Sequence, residues 1–437
     1  MKRLQYFNTR EGQIHLRFRR SLDTVYIHVL QQPLSKNAMH HTDKVIFQQE
    51  VLRQLTSQKR RPFRSDIILE LTFFITGKNP PSIHTLAKNY LDLLGKPLSK
   101  SGINRSGLLY ADDRQVKLLI VNCHFGTITA EPSVWIKASR LSHFVSDLRL
   151  LDKIRTDSFE ESETDRYGMR SGFQFDSDKV NDLYDSIEQY SEELSDVVND
   201  RGSWVKSFGQ AAFDSIRRHL AQSIQMKYLQ SMRLTLDQLI SIYMAAFTRA
   251  EPSNLLDLLL SALREQSRDF YISTPFSLNL THIPGKSGEN QVFRKAVKGA
   301  LADFKTRHSM LFPLTTPVRA IIIHIPPRDG GIDLDNLARK LIPLVLEILA
   351  PPTTSISQLD VEDITDGARK VFLQGLLRRM EGFPKHSVAS LEILEVPRLA
   401  KDPPEGSVRF IFCDALDFEN CWGRIDAAID KWKEHLD

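Results

Sequence analysis

The chain has 437 residues, which is well above the length of one typical domain, so we expect two or three domains. Its 41% hydrophobic and 26% charged residues are ordinary for a soluble globular protein, and no apolar run is long enough to span a membrane. The start of the chain has no apolar segment of a secretory signal, and three cysteines form neither a disulfide framework nor a metal-ligand pattern. We therefore expect a protein of the reducing cytoplasm with no membrane partner.

Positive charge is concentrated near the start of the chain, although the net charge of the whole is only +4. Residues 1–64 hold 13 lysines and arginines against 4 acids, whereas residues 145–200 are acidic. The basic region is a candidate phosphate-binding surface, with a solvated basic face as the plain alternative. The DNA-binding candidates, including two from the second half of the chain, are Lys36, Lys44, Arg60, Arg61, Arg64, Lys286 and Arg294.

The first part of the chain alternates between strand and helix patterns. Short apolar runs rich in β-branched residues predict strands, and apolar residues at helical spacing predict helices. The predicted elements are a strand or hairpin at 14–18, strands at 25–30, 65–75, 116–123 and 133–138, and helices at 42–55, 86–94 and 142–154.

The last part of the chain repeats this order after a different middle segment. It predicts strands at 276–280, 318–325, 388–396 and 408–412, and helices at 291–304, 337–349 and 417–435. An internal duplication of about 130 residues is the simplest account. The middle segment predicts four or five helices after a polar loop at 155–175, and we expect it to bind a protein partner. The predicted fold is α+β, with repeats at 1–154 and 271–437, each a small mixed sheet with two helices, and an all-α insert at 155–270.

Two carboxylates stand between a predicted strand and a predicted helix of the second repeat. Asp333 and Asp335 are two residues apart, so in extended backbone they project to the same side. Like charges this close need a counter-charge, usually a divalent cation with hard oxygen ligands such as magnesium. The plain alternative is a solvated turn in which Asp335 or Asn336 caps the helix.

The segment Asp333-Leu-Asp-Asn-Leu-x-Arg339 stands between a predicted strand and a predicted helix. It resembles the central motif of the RusA-type Holliday junction resolvases. In that family the two aspartates bind magnesium, a basic residue follows, and an Asp-Asp pair comes later, before a strand. The resemblance covers about 260 residues and implies a magnesium-dependent endonuclease for branched DNA, with roles in recombination, repair or phage defence.

The two repeats match this pattern in complementary parts. The first repeat has Lys88 at the basic position and Asp112-Asp113 before a strand, but Ser82 and His84 replace the acidic pair. The second repeat has the acidic pair, but Pro384 and Lys385 replace the Asp-Asp pair, and Pro343 replaces the helix acid that Asp92 matches in the first. The resemblance implies the catalytic candidates Asp333, Asp335, Asn336, Arg339, Asp112, Asp113 and Lys88, of which the four aspartates are the metal candidates.

Three alternatives remain open for these divided motifs. In the first, both sites are inactive and the chain is a DNA-binding or scaffold protein. In the second, the second repeat is active with a substitute carboxylate from Asp360, Glu362, Asp363 or Asp366. In the third, the chain is a fused pseudo-dimer with one composite site. The composite alternative requires the carboxylates of Asp113 and Asp335 to lie within about 5–8 Å, given metals about 4 Å apart and ligand bonds of about 2 Å. We expect a DNA-binding protein derived from a RusA-like endonuclease, with an active endonuclease and a protein-interaction scaffold as the alternatives.

Overall fold

A computed structural model describes most of the regular elements of the chain. The described residues are 6–76, 80–99, 101–103, 105–125, 131–161, 177–231, 240, 242–244, 246–247, 276–280, 291–307, 318–349, 388–414 and 420–434. Within them, no helix is both long enough and apolar enough to cross a membrane.

Eight strands form one mixed sheet. They are β1 (Val25–Val29), β2 (Ile67–Ile75), β3 (Val116–Phe125), β4 (Ser133–Arg140), β5 (Phe276–Leu280), β6 (Val318–Ile325), β7 (Val388–Glu395) and β8 (Ser407–Asp414). Their order across the sheet is β1-β4-β2-β3-β7-β6-β8-β5. The sequence predicted all eight strands, and the mixed composition of helix and sheet is confirmed. The two small sheets expected as separate units are instead joined into one.

The two halves of the sheet have the same topology. In each half the second and third strands pair in parallel, and the fourth strand pairs antiparallel to the first and the second. The parallel pairs begin at Ile67 with Val116 and at Val318 with Val388, and each has a register irregularity directly after that pair. The order therefore reads the same from either edge, and the antiparallel pair of β3 and β7 lies at its centre.

Helices cover both faces of the sheet. The helices are α1 (Arg10–Ser21), α2 (His41–Ser57), α3 (Ile83–Leu94), α4 (Leu141–Glu161), α5 (Ser177–Asn199), α6 (Arg201–Phe208), α7 (Gln210–Ser231), α8 (Gln291–Arg307), α9 (Leu334–Leu349) and α10 (Cys421–Glu434). One face packs against α2, α3, α8 and α9 in a continuous apolar core. The other packs against α4, α10 and residues 240, 242, 243 and 246. Burial of two apolar sheet faces stabilises this three-layer arrangement.

The prediction of a strand or hairpin at 14–18 is wrong, because these residues lie in α1. Thr9 caps this helix by accepting a hydrogen bond from Gly12 N at 3.2 Å. The helix turns Arg17 inward to the carboxylates of Asp147 at 2.8 Å and Asp426 at 2.9 Å. An alternating pattern of five residues is too short to distinguish a strand from a helix. The ion pairs of Arg17 with distant residues favour the helix.

The described part of the insert is helical, as predicted, but two of its boundaries differ. Residues 155–161, expected in a loop, continue α4. The single helix expected at 204–226 is broken at Gly209, whose φ of +84° separates α6 from α7. The helix predicted at 255–266 lies outside the described residues.

Candidate metal centre between the two halves

The direction of the strands decides which acidic segments can meet. Because β2 and β3 are parallel, the segment after β2 and the segment before β3 lie at opposite ends of the sheet, about 25 Å apart for strands of this length. Because β3 and β7 are antiparallel, the start of β3 lies beside the ends of β7 and β6. An ion pair of 2.6 Å between Lys117 Nζ and Glu395 Oε1 marks this contact. A site that uses both acidic motifs therefore forms between the halves and cannot form within one.

The second half contributes Asp335 and Asp333 from the start of α9. The side chain of Asp335 is fully buried, and its Oδ1 accepts a hydrogen bond from Asn336 N at 2.7 Å. Its Oδ2 lies 2.7 Å from Lys88 Nζ, which belongs to the first half. Asp333 is more exposed, with its carboxylate 3.4 Å from Asn336 Nδ2 and 3.5 Å from Arg114 Nε. The acidic pair is thus oriented from its own helix and contacted by cations from the other half.

The first half contributes one acid from α3 and one from the turn before β3. Asp92 accepts from Lys88 Nζ at 3.0 Å and from Lys36 Nζ at 2.9 Å. Asp113 begins a short 3-10 turn, Asp113–Gln115, that leads directly into β3. The side chain of Gln115 fixes this turn by donating to the Phe63 and Ser65 carbonyls at 3.0 and 3.1 Å. Both acids are therefore held by regular structure close to Asp335.

Asp92, Asp113 and Asp335 form a cluster that could hold a metal ion. One carboxylate oxygen from each residue lies within 4.8 Å of the other two. This distance meets the 5–8 Å requirement of the composite alternative. Magnesium–oxygen bonds of about 2.1 Å place two ligands of one octahedral ion about 3–4 Å apart, so small side-chain movements would suffice for shared coordination. A hard, all-oxygen ligand set of this kind suits magnesium, calcium or manganese.

Burial, and after it repulsion between neighbouring carboxylates, raises the pKa values of Asp113 and Asp335. Burial and the nearby charges of Asp333 and Asp335 raise the pKa of Asp113 to about 6. Burial also raises the pKa of Asp335, although Lys88 opposes this effect. Burial alone would lower the pKa of Lys88, but Asp335 and Asp92 outweigh burial and raise it. A divalent cation would relieve the same repulsion between carboxylates.

The structure separates the other predicted catalytic residues by role. Asn336 supports both aspartates of the acidic pair, as described above. Asp112 is exposed, lies outside the cluster of three, and caps the 3-10 turn by accepting from Arg114 N at 3.0 Å. Arg339 lies near His84 and not at the cluster of three aspartates. Burial and the positive charge of Arg339 together lower the pKa of His84 to about 4.

The DNA-binding candidates are only partly gathered around the cluster. Lys36 forms an ion pair with Asp92 of the cluster. Lys44 Nζ donates to the Lys36 carbonyl at 2.8 Å. Arg61 and Arg64 are exposed and flank Phe63, the residue that the 3-10 turn holds. Arg60 instead pairs with Asp23 at 3.2 Å.

The remaining sequence candidates are Arg294, Lys286 and the proposed substitute acids. Arg294 lies in α8. Lys286 and the proposed substitute acids, Asp360, Glu362, Asp363 and Asp366, lie outside the described residues.

Two residues of the centre were not among the sequence-predicted site residues. Asp92 was noted only as the helix acid of the resemblance, and its spacing of four from Lys88 was the available signal. Arg114, beside Asp333, had no distinguishing signal, because an arginine in a turn is usually solvated. No protein-family model, no curated protein and no solved structure matches the chain.

Proposed function

We propose that the chain is a RusA-like, magnesium-dependent endodeoxyribonuclease for branched or duplex DNA, with one composite catalytic centre. The observation that carries this proposal is the meeting of Asp92, Asp113 and Asp335 within 4.8 Å, although the three come from three separate segments and two repeats. The Asp335 side chain is fully buried, so the cluster is not a set of solvated surface acids. The RusA-like description rests on the motif resemblance together with the matching topology of the two halves.

The residues of the centre fit phosphodiester hydrolysis. Asp92, Asp113 and Asp335 would hold the metal, with Asp333 beside them. A bound divalent cation supplies charge neutralisation at the phosphate and lowers the pKa of a bound water. Lys88 Nζ, already held between two carboxylates, is placed to stabilise the negative charge that develops on the phosphate oxygens.

DNA would reach this centre across the basic residues that border it. Lys36, Lys44, Arg61 and Arg64 lie on the segments that contact Asp92 or the turn of Asp113. Such contacts address phosphates rather than bases, so binding should be independent of sequence and should weaken steeply with salt.

A second candidate function is DNA binding without cleavage. Lys88 and Lys36 already neutralise much of the cluster through ion pairs of 2.7 to 3.0 Å. Under this alternative the cluster is an ion-pair network that joins the two halves, and the carboxylates bind no metal.

A cleavage assay separates the two functions. Four-way junction, flap and duplex DNA would be incubated with magnesium or manganese, using wild type, Asp335→Asn and Asp113→Asn. If the centre is composite, each substitution should reduce the cleavage rate by at least 100-fold, which is on the order of the effect of losing one catalytic ligand. Asp329→Asn, an exposed change in the loop before the centre, is the matched control.

Gel shifts on the same DNA across a salt series test binding separately. Both Asn variants should bind as tightly as wild type or more tightly, because a negative charge beside phosphate is removed. Binding without cleavage by the wild type would favour the second candidate. No binding even at low salt would leave the protein-interaction scaffold through the helical insert.

A further inference from the structure

The order of the sheet creates two equivalent places for a composite centre. The centre described above combines the start of α9 with α3 and the turn before β3. The equivalent place combines the start of α3 with α9 and the start of β7. In a symmetric dimer of such repeats the two places would be identical, and each would carry its own acids.

At the positions that match the acids of the first place, the sequence of the second place has no carboxylate. Aligning the first residues of α3 and α9, Ile83 and Leu334, sets Ser82 and His84 opposite the acidic pair. The same alignment sets Arg339 opposite Lys88, and Pro343 opposite Asp92. The positions four and three residues before β7 are Pro384 and Lys385, which the sequence shows although they lie outside the described residues. None of these replacements is a carboxylate, and three of them are histidine, arginine or lysine.

The second place keeps a basic residue although the matching acids are gone. Arg339 stands at the position of Lys88, and burial together with the charge of Arg339 lowers the pKa of His84, which stands at the position of Asp335, to about 4. The complementary gaps in the two repeats therefore have one explanation. One composite centre keeps the acids of the motifs, and the matching positions of the other have lost them.

We infer that each bound DNA molecule receives a single incision, in one strand, and that the second strand is held but not cut. This inference rests on the proposed function, because it concerns the product of that reaction. One water adds to one phosphorus and one phosphorus–oxygen bond breaks, which leaves a phosphate monoester and a hydroxyl group. A second cut requires release and rebinding in the opposite orientation.

A supercoiled plasmid with an inverted repeat, which extrudes a four-way junction, tests the inference. With magnesium and with DNA in excess over the protein, nicked circles should form first and exceed linear DNA by at least 10-fold in the early time course. Light scattering at the assay concentration must show a single chain, since a dimer would bring two retained centres. His84→Gln should leave the nicking rate within about 2-fold, because the lost place contributes no ligand.

The possible failures point to different conclusions. Linear DNA that appears at the rate of nicked DNA would overturn the inference while the proposed nuclease stands. If the wild type cut both strands and His84→Gln cut only one, the inference would also be overturned while the proposed nuclease stands. No cleavage by the wild type would overturn the proposed function and this inference with it.

Discussion

Lys88 is the cation on which the acidic cluster depends, and replacing it tests the metal centre without any DNA. Its Nζ lies 2.7 Å from Asp335 and 3.0 Å from Asp92, and its side chain is 21% exposed. The change Lys88→Met keeps most of the aliphatic stem and removes the charge. It leaves the fully buried Asp335 carboxylate without its ion-pair partner.

The expected loss follows from the burial of this pair. Breaking a buried ion pair from one side costs about 3–5 kcal/mol, because the remaining charge is buried and unpaired. Since Lys88 is not fully buried, we expect a loss at or below the lower limit of this range, about 2–3 kcal/mol, in the free energy of unfolding at pH 7.5 with chelator. Burial raises the pKa of Asp335 already in the wild type, and removal of Lys88 raises it further. The loss should therefore shrink as the pH falls and Asp335 takes up a proton.

Urea denaturation with chelator, with magnesium and at pH 5 measures these effects. Magnesium should recover much of the loss in Lys88→Met, since a ligand at 100 times its dissociation constant adds about 2.7 kcal/mol to stability. Lys298→Met is the matched control, because this lysine forms a more exposed ion pair with Glu347 and should cost under about 1 kcal/mol. A Lys88→Met protein that loses no more than this control, or that magnesium does not stabilise, would refute the reasoning.

Three further changes test the roles assigned to single residues. Asp112→Ser should retain magnesium binding by calorimetry, since serine also caps the turn; a loss like that of Asp113→Asn would instead make Asp112 a ligand. Burial raises the pKa of Glu70, so its contribution to stability is present below the unfolded pKa of about 4.3 and is lost as the pH rises through the folded pKa. Glu70→Gln should therefore stabilise the protein at pH 7.5 but not at pH 4. If the variant and the wild type gave the same unfolding curve at pH 7.5 as well as at pH 4, this prediction would be wrong. Gly209→Ala should destabilise the insert by about 1–3 kcal/mol in thermal unfolding, because alanine strains at a φ of +84°; an unchanged transition would show that the break between α6 and α7 is not required.

The amino-acid sequence by itself predicted most of the elements and the matching order of strands in the two halves. Apolar runs rich in β-branched residues predicted all eight strands close to their observed ends. The pattern is clearest in β6, because a strand buried on both faces needs apolar side chains at nearly every position. The complementary gaps in the acidic motifs were also visible in the sequence, as was the spacing of four residues between Lys88 and Asp92. A five-residue alternation was not enough to identify α1, whose inward face is set by carboxylates more than a hundred residues away.

Only the tertiary structure decided that the divided motifs form one centre. The sequence order suggests that each repeat builds its own site, since its motifs are close along the chain. Parallel pairing of β2 with β3 separates those motifs within a repeat, and antiparallel pairing of β3 with β7 brings Asp113 to Asp335. Backbone hydrogen bonds between two central strands carry no motif in the sequence, because any residue except proline can make them. The location of the candidate metal centre is therefore a property of the joined sheet.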